Sequence, residues 1–328
     1  MASPLSAASP EAWRAHRLHD LDRDWPETNC ELDFWIELAA ARGLEPEAML
    51  GFTVAQDFLV DQFTLLMPSI PDLGRLYGAT VDMFALYGRF ETQLAAAIAA
   101  GGVVALDTDA YYLPDSAGVS YRQRHVKTTI AIHAIRPEER SLDYFHNLGC
   151  WRLEGDDYDM VVFRPPHLQA DEIIPPYAEL IRFERPPLAG EALRATARAA
   201  LARWLEVAPR REPIAAFGAT LEARAQALAG AGELVFHDWA FHTFRQLGAN
   251  YELLADHLAW LDPGPAFVGA REHCRAVSAA AKALQFQLAR AVARRRTPDV
   301  ASLIEQTAHA RGAALEGVRA GLAALTSP

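Results

Sequence analysis

Residues 125–147 read HVKTTIAIHAIRPEERSLDYFHN, and this stretch decides the fold of the N-terminal half. His125–Ile135 is apolar and β-branched, Pro137–Arg140 is turn-like, and Leu142–His146 is apolar again. Two such runs joined by a short turn predict a pair of antiparallel strands. Val103–Thr108 predicts a further buried strand upstream, so this half of the chain should contain a sheet.

A helix is predicted ahead of this sheet. Leu32, Trp35, Ile36 and Ala39 recur at the spacing of one helix face, and Gly43 is a typical residue to end it. The other elements predicted for this half are a short helix over 46–52, a strand over 62–67, and helices over 71–77 and 89–100.

The composition changes near residue 165, where proline pairs become frequent and Ala/Leu/Arg-rich segments follow. These segments predict helices over 189–207, 213–229, 233–261, 265–294 and 298–325. The fold class is therefore α+β, with a mixed N-terminal domain and an all-helical C-terminal domain. The predicted divisions are an N-terminal arm (1–24), an α/β domain (25–165), a Pro-rich connector (166–188) and a helical domain (189–328).

The composition excludes several classes of function. The formal net charge of −11 argues against nucleic-acid binding and against a polybasic membrane surface. No apolar run approaches the length of a membrane span, and the N-terminus does not resemble a signal peptide. The three cysteines are too widely spaced for a disulfide framework or a zinc site, so we expect a cytoplasmic protein.

Three residues form a candidate catalytic group. Cys30 falls in the first turn of the predicted leading helix, just after Thr28 and Asn29, where the helix dipole stabilises a thiolate. His125 opens one predicted strand and could act as a base, and Asn147 ends the next and could orient the imidazole. The alternatives are an inert packing cysteine, a strand-end histidine and a turn asparagine.

Other polar residues offer further roles. Asp107 and Asp109 share a strand face, as do His125 and His133, and together they could hold a metal, although no closely spaced ligand pair supports one. Asp109 could instead bond a loop amide or orient the catalytic group. In the helical half, Arg245 and Gln246 could line a cleft, but helix packing is the simpler interpretation. The substrate-binding candidates are Asn29, Asp109, Tyr111, Tyr112, Lys127, His146, Arg245 and Gln246; no metal ligand is assigned.

The motifs TNC (28–30), DTDAYYLP (107–114), HVKTT (125–129) and YFHN (144–147) resemble a bacterial family known as a domain of unknown function, the 1839 family. More distantly, the N-terminal half is similar to the family of butirosin biosynthesis protein H. That resemblance implies a papain-like (cysteine peptidase-like) fold for this half. It also implies Cys30 as nucleophile and His125 as base, with Asn147 at the place where the peptidases carry an Asp or Asn. The upstream Gln that papain-like peptidases use as oxyanion donor has no clear counterpart.

The same resemblance implies a thiol-dependent acyl or aminoacyl transferase of specialised metabolism. The donor would be the phosphopantetheine thioester of an acyl or peptidyl carrier protein, with a small-molecule acceptor and no cofactor bound by the chain itself. Arg210-Arg211 or Arg294–Arg296 could dock the carrier. The alternatives are a cysteine hydrolase (amidase, thioesterase or peptidase) with the same triad, and a non-catalytic protein that binds a carrier protein or a ligand.

Overall fold

The computed structural model of the chain describes residues 9–164, 174–230, 233–296 and 298–326. It divides into two compact units, each assembled from separate stretches of chain. Unit 1 comprises the residues up to Asp20, Cys30–Pro46 and Ile70–Leu188. Unit 2 comprises Leu21–Asn29, Glu47–Ser69 and the residues from Ala189 onward.

Unit 1 is built on a six-stranded sheet in which every neighbouring pair is antiparallel. Its strands are β3 (Ala79–Met83), β4 (Val103–Asp109), β5 (Lys127–Arg136), β6 (Ser141–His146), β7 (Gly149–Glu154) and β8 (Ala178–Phe183). Its helices are α1 (Cys30–Ala41), α2 (Ile70–Tyr77), α3 (Phe90–Ala99) and α4 (Gly155–Val161). The strand order is β3-β8-β4-β5-β6-β7, so β8 enters between β3 and β4.

The two faces of this sheet have different partners, because successive side chains on a strand point to opposite sides. Ile130, Ile132 and Tyr144 face one apolar core, which includes Leu94 of α3 and Tyr158 of α4. The opposite face carries the alternate residues of β5 and lies on the side of α1, which packs on β5, β6 and β7.

A buried histidine ties the N-terminal segment to α1. The Nδ1 atom of His19 lies 2.5 Å from Oε1 of Glu37, and its Nε2 lies 3.4 Å from Oδ1 of Asp33. The indole of Trp13 also donates to Glu37, at 2.7 Å. Burial by itself lowers the pKa of His19, but the bonds and charges of the two carboxylates outweigh it and raise the pKa to about 9.

Among its described residues, unit 2 consists of helices and connecting loops with one two-strand hairpin, formed by β1 (Phe58–Leu59) and β2 (Gln62–Phe63). Its helices are α5 (Gly190–Val207), α6 (Pro213–Gly218), α7 (Leu221–Leu228), α8 (Glu233–Ala240), α9 (Gln246–Leu261), α10 (Val268–Ala293) and α11 (Ala301–Thr326). Phe241–Arg245 form a π-helical turn between α8 and α9. The stretch Leu21–Asn29 is bound to these helices: Glu252 accepts from the N–H groups of Asp24 and Trp25, and Lys282 lies over the Trp25 ring.

The α+β class and the helical C-terminal region are confirmed, but several boundaries were wrong. The predicted connector 166–188 contains β8, a central strand, while residues 165–173 lie outside the described part of the chain. The predicted arm and first domain do not divide at residue 24, because residues up to Asp20 and the stretch 21–29 belong to different units. The strand predicted over 62–67 is shorter in the structure, where β2 spans Gln62–Phe63. In the described ranges, no helix is long and apolar enough to cross a membrane.

The charge on His19 predicts a pH dependence of stability. Because the folded pKa of about 9 lies above the unfolded value of 6.5, the stabilisation is fully present below pH 6.5 and is lost as the pH rises through 9. We expect the free energy of unfolding to fall by up to about 3 kcal/mol across this window. Urea titrations at pH 6 to 9.5 would measure it. His19→Gln should flatten the curve, whereas His309→Gln, an exposed position, should not; equal curves for wild type and His19→Gln would contradict the assignment.

Two glycines predict opposite effects of the same substitution. A Cβ atom on Gly248 of α9 would lie 2.2 Å from the indole of Trp25, whereas one on Gly312 of α11 would meet open space. We expect Gly248→Ala to lower the free energy of unfolding by about 1–3 kcal/mol through overpacking. The control Gly312→Ala should raise it by about 0.5–1 kcal/mol. Chemical denaturation measures both, and a neutral Gly248→Ala would show that Trp25 does not pack as described.

Candidate active site

Cys30 is the first residue of α1, a half-buried free cysteine. The acidic residues Glu31 and Asp33 follow in the first turn, where carboxylates complement the positive end of the helix dipole. The buried residues of α1 include Leu32, Trp35, Ile36 and Ala39, the stripe that the sequence predicted. The cysteine therefore sits at the N-terminus of a helix whose direction is fixed by packing.

The two residues before Cys30 are held by a buried glutamine of unit 2. The Nε2 atom of Gln246 donates to the carbonyl oxygen of Thr28 at 3.2 Å. The side-chain amide of Asn29 donates to the carbonyl oxygen of Leu66 at 3.0 Å and reaches Oε1 of Gln246 at 3.3 Å. Gln246 is fully buried. The amides of Asn29 and Gln246, both predicted to bind substrate, are engaged with the protein itself.

His125 is paired with Asp109. Nδ1 of the imidazole lies 2.5 Å from Oδ2 of the carboxylate. The other oxygen, Oδ1, accepts from the backbone N–H groups of Tyr111 at 3.0 Å and Val126 at 3.1 Å. These bonds fix the carboxylate, which accepts the Nδ1 proton of the ring and leaves Nε2 as the nitrogen that can exchange a proton with a reactant.

Two tyrosines shape the surroundings of the imidazole. Tyr111 stacks on the His125 ring with centroids 4.4 Å apart, and Tyr112 meets it edge-on at 6.4 Å. The guanidinium of Arg122 lies over both tyrosine rings, at 5.6 and 5.7 Å from their centroids. The His125 side chain is 68% exposed. The predicted substrate-binding residues Tyr111 and Tyr112 are therefore beside the candidate base.

Asn147 does not stand opposite His125. The register pairs Ala131 with Phe145 and Ile132 with Tyr144. The same step continued places Asn147 opposite Thr129, four residues along the strand from His125, or roughly 13 Å at about 3.3 Å per residue. Asn147 instead lies in the β6–β7 turn with a positive φ of 46°, a conformation that asparagine tolerates. The expectation that His125 and Asn147 lie close together was wrong, because the register of β5 with β6 places Asn147 beside a residue further along β5.

His146 faces away from this pair and belongs to a buried network. Its Nδ1 lies 2.6 Å from Oδ2 of Asp115, and its Nε2 lies 2.7 Å from the Thr128 hydroxyl. The hydroxyl of Tyr144 donates to the other oxygen of Asp115 at 2.5 Å. His146 shares its strand face with Tyr144, on the apolar side of the sheet, so it anchors the segment between β4 and β5 from beneath.

Polar groups cluster where β4 ends and β5 begins. The Nζ atom of Lys127 lies 2.9 Å from Oδ1 of Asp107 and donates to the Thr129 hydroxyl at 3.0 Å. Burial, and then the charge of Glu179, raise the pKa of Glu31 to about 7, while Lys127 acts against them. Glu31 feels these charges because the start of α1 lies over the strand ends that bear them. The first turn of α1 therefore lies near the end of the sheet where β4 ends and β5 begins.

The remaining candidate residues belong to unit 2 or are buried. Arg245 pairs with Glu27 at 3.3 Å, within unit 2. Cys150 and Cys274 are buried, and burial raises the pKa of each thiol to about 12. Among the residues that the structure describes, no group of three or more His, Cys, Asp or Glu is placed to hold a metal ion. Glu31 was not singled out from the sequence as a residue with a raised pKa. Its position directly after the cysteine was the one feature in the sequence that pointed to it.

The three thiols should differ in reactivity. We expect iodoacetamide at pH 7.5 to modify Cys30 at least tenfold faster than Cys150 or Cys274, because the last two are buried and almost fully protonated at that pH. Peptide-resolved mass spectrometry over a time course measures the three rates. The matched control is Cys30→Ser, which should leave slow labelling only. Equal rates at the three positions in folded protein would remove Cys30 as a candidate nucleophile.

Comparison with known families covers both halves of the chain. The family model described as the DUF1839 N-terminal domain matches residues 14–183, and the one described as the DUF1839 C-terminal domain matches residues 190–320. No curated protein matches the sequence. The boundary between the two matches coincides with the end of the long stretch of unit 1 at Leu188.

Proposed function

Because the chain belongs to the DUF1839 family, whose domain descriptions specify no reaction, we propose that it is a cysteine-dependent acyltransferase taking its acyl group from a carrier-protein thioester. The observation that supports this is the His125–Asp109 pair at the mouth of β5, at the end of the sheet face where α1 begins with Cys30. A helix that starts with a cysteine and packs on an antiparallel sheet carrying its histidine is the papain-like arrangement that the sequence resemblance implies.

The proposed roles follow from the chemistry of each group. His125 takes the proton of the Cys30 thiol on Nε2, and Asp109 stabilises the imidazolium that results. The cysteine sulfur attacks the carbonyl carbon of the donor thioester. Backbone N–H groups at the start of α1 are placed to stabilise the oxyanion. The carbon–sulfur bond to the carrier's phosphopantetheine then breaks, and the leaving thiolate takes the proton from His125.

The second half of the reaction regenerates the enzyme. Exchange of one thioester for another is nearly isoergic, so the acyl-Cys30 intermediate keeps the energy needed for transfer. A small-molecule acceptor, such as an amine, attacks the same carbonyl carbon while His125 takes its proton. The Cys30 thiolate leaves and regains a proton from the imidazolium. Asp109 holds the ring throughout, which is the role predicted from the sequence for Asn147.

Docking of an acidic carrier protein calls for a basic surface. Arg294, Arg295 and Arg296 are all exposed at the end of α10. Arg211 is tied to the hairpin of unit 2, where it donates to the carbonyl oxygen of Phe58 and lies 3.4 Å from the Asp57 carboxylate. We therefore assign docking to Arg294–Arg296, whose side chains are free to meet the acidic surface of the carrier.

A cysteine hydrolase is the second candidate, and one observation favours it. The His125 side chain is 68% exposed, so water can reach the base as readily as an organic acceptor. The hydrolase would use the same acyl-Cys30 intermediate with water in the second half. The two candidates are separated by how the acyl-enzyme is discharged, with and without a primary amine present.

Acyl transfer to Cys30 can be tested with an acyl-N-acetylcysteamine thioester, which mimics the end of phosphopantetheine. We expect intact-protein mass spectrometry to show one added acyl group, located on Cys30 by peptide mapping. His125→Ala and Asp109→Asn should slow acylation by about 10²–10⁴-fold, because base and orienting group act as a unit. Asn147→Ala is the matched control and should keep the wild-type rate.

The outcomes discriminate between the candidates. Discharge accelerated by amine supports the transferase, and discharge at the same rate in buffer alone supports the hydrolase. Acylation that is unaffected by Asp109→Asn but lost in Asn147→Ala would reverse the assignment of the third residue. Absence of any acyl-Cys30 while the protein stays folded would favour the binding-protein alternative.

A further inference from the structure

An open cleft lies within unit 2, between α5 and α11. It encloses about 720 Å³, which is within the range of small-molecule sites. Its lining combines three arginines with apolar side chains; the residues that matter are Leu205, Glu206, Arg210, Arg311, Leu315 and Arg319. A mixture of a few charged groups and an apolar wall is typical of a site for an organic ligand rather than for a bare ion.

Two of the three arginines lie on the same face of α11, and the third comes from a neighbouring loop. Arg311, Leu315 and Arg319 recur every four residues, so they form one stripe on α11. Arg210 lies in the loop between α5 and α6, and it lines the same cleft. Guanidinium groups from two separate parts of the chain therefore converge on one space.

Arg311 forms the buried side of this cleft. Its side chain is 5% exposed, and Nη1 donates to Oε2 of Glu212 at 2.9 Å. Nε and Nη2 are buried, and the hydroxyl of Tyr251 lies beside the guanidinium and interacts with it. Arg311 therefore contributes a fixed positive charge to the wall of the cleft.

The local charge is opposite to that of the chain. The lining holds three arginines and Glu206, and Arg311 is paired with Glu212, so the cleft has a net positive charge, whereas the chain carries −11. Arginine, unlike lysine, presents a planar fork that binds carboxylate or phosphate with two parallel hydrogen bonds. The positive charge of the cleft and its arginine side chains both favour a ligand with a carboxylate or phosphate group.

We propose that this cleft binds a small organic anion, a phosphate or carboxylate with a short apolar body. The charged head meets the exposed Arg210 and Arg319, and the buried guanidinium of Arg311 adds positive charge behind them. The apolar body packs on Leu205 and Leu315. Nothing in this site involves Cys30 or His125, so it stands whether or not the proposed acyl transfer is correct.

Isothermal titration of the full-length protein tests the site with three probes: inorganic phosphate, hexyl phosphate and hexanoate, at constant ionic strength. We expect saturable 1:1 binding of at least one hexyl probe, at least tenfold tighter than inorganic phosphate because of the apolar wall. The preference between hexyl phosphate and hexanoate identifies the head group. Cys30→Ser should bind with the wild-type Kd, which separates this site from the proposed reaction.

Two exposed arginines provide the variants, because their removal does not disturb the core. Arg210→Gln and Arg319→Gln should each raise the Kd of the best probe at least tenfold. The control is Arg290→Gln, an exposed arginine of α10 that does not line the cleft, and it should change the Kd less than twofold. No saturable binding by any probe, equal affinity for inorganic and hexyl phosphate, or equal weakening by Arg290→Gln would overturn the proposal.

Discussion

The register between β4 and β5 is the constraint on which the candidate site depends. It pairs Asp109 with Lys127 and Asp107 with Thr129, so the last residues of β4 lie beside the first residues of β5. Asp109 thereby reaches back to the His125 ring and to the backbone of Val126 in the approach to β5. A shift of β4 by one residue would turn both carboxylates to the apolar face of the sheet and separate Asp109 from His125.

A second set of contacts, all within unit 2, holds the stretch of chain that precedes Cys30. Gln246 binds Thr28 and Asn29, and Glu252 binds Asp24 and Trp25, so the stretch that leads into α1 is fixed before the helix begins. Gln246 follows a π-helical turn, a feature that often marks functional regions because it shifts the side chains that come after it.

The pKa of a buried histidine depends on its neighbours. His19 keeps its charge because two carboxylates contact it. For His133 and His257, burial outweighs the opposing interactions and lowers the pKa of each to about 4. His133 stacks on Phe145 and lies 3.3 Å from the Cys150 sulfur, while His257 bonds the Glu47 carbonyl oxygen at 2.7 Å. These neutral histidines are packing residues with one polar tie, and they bear no relation to the candidate chemistry.

The sequence by itself determined the elements whose signal is local. The stripe of α1, the strands around 103–109, 127–136 and 141–146, and the long C-terminal helices followed from hydrophobic periodicity. The cysteine at a helix start and the histidine at a strand mouth followed in the same way. Tertiary structure alone decided the insertion of β8 between β3 and β4, the split of residues 9–69 between two units, and the pairing of His125 with Asp109 and not with Asn147. Each of these features depends on strand register or on contacts between segments far apart in the sequence. Neither register nor such contacts produce a periodic pattern of apolar residues that could be read from the sequence.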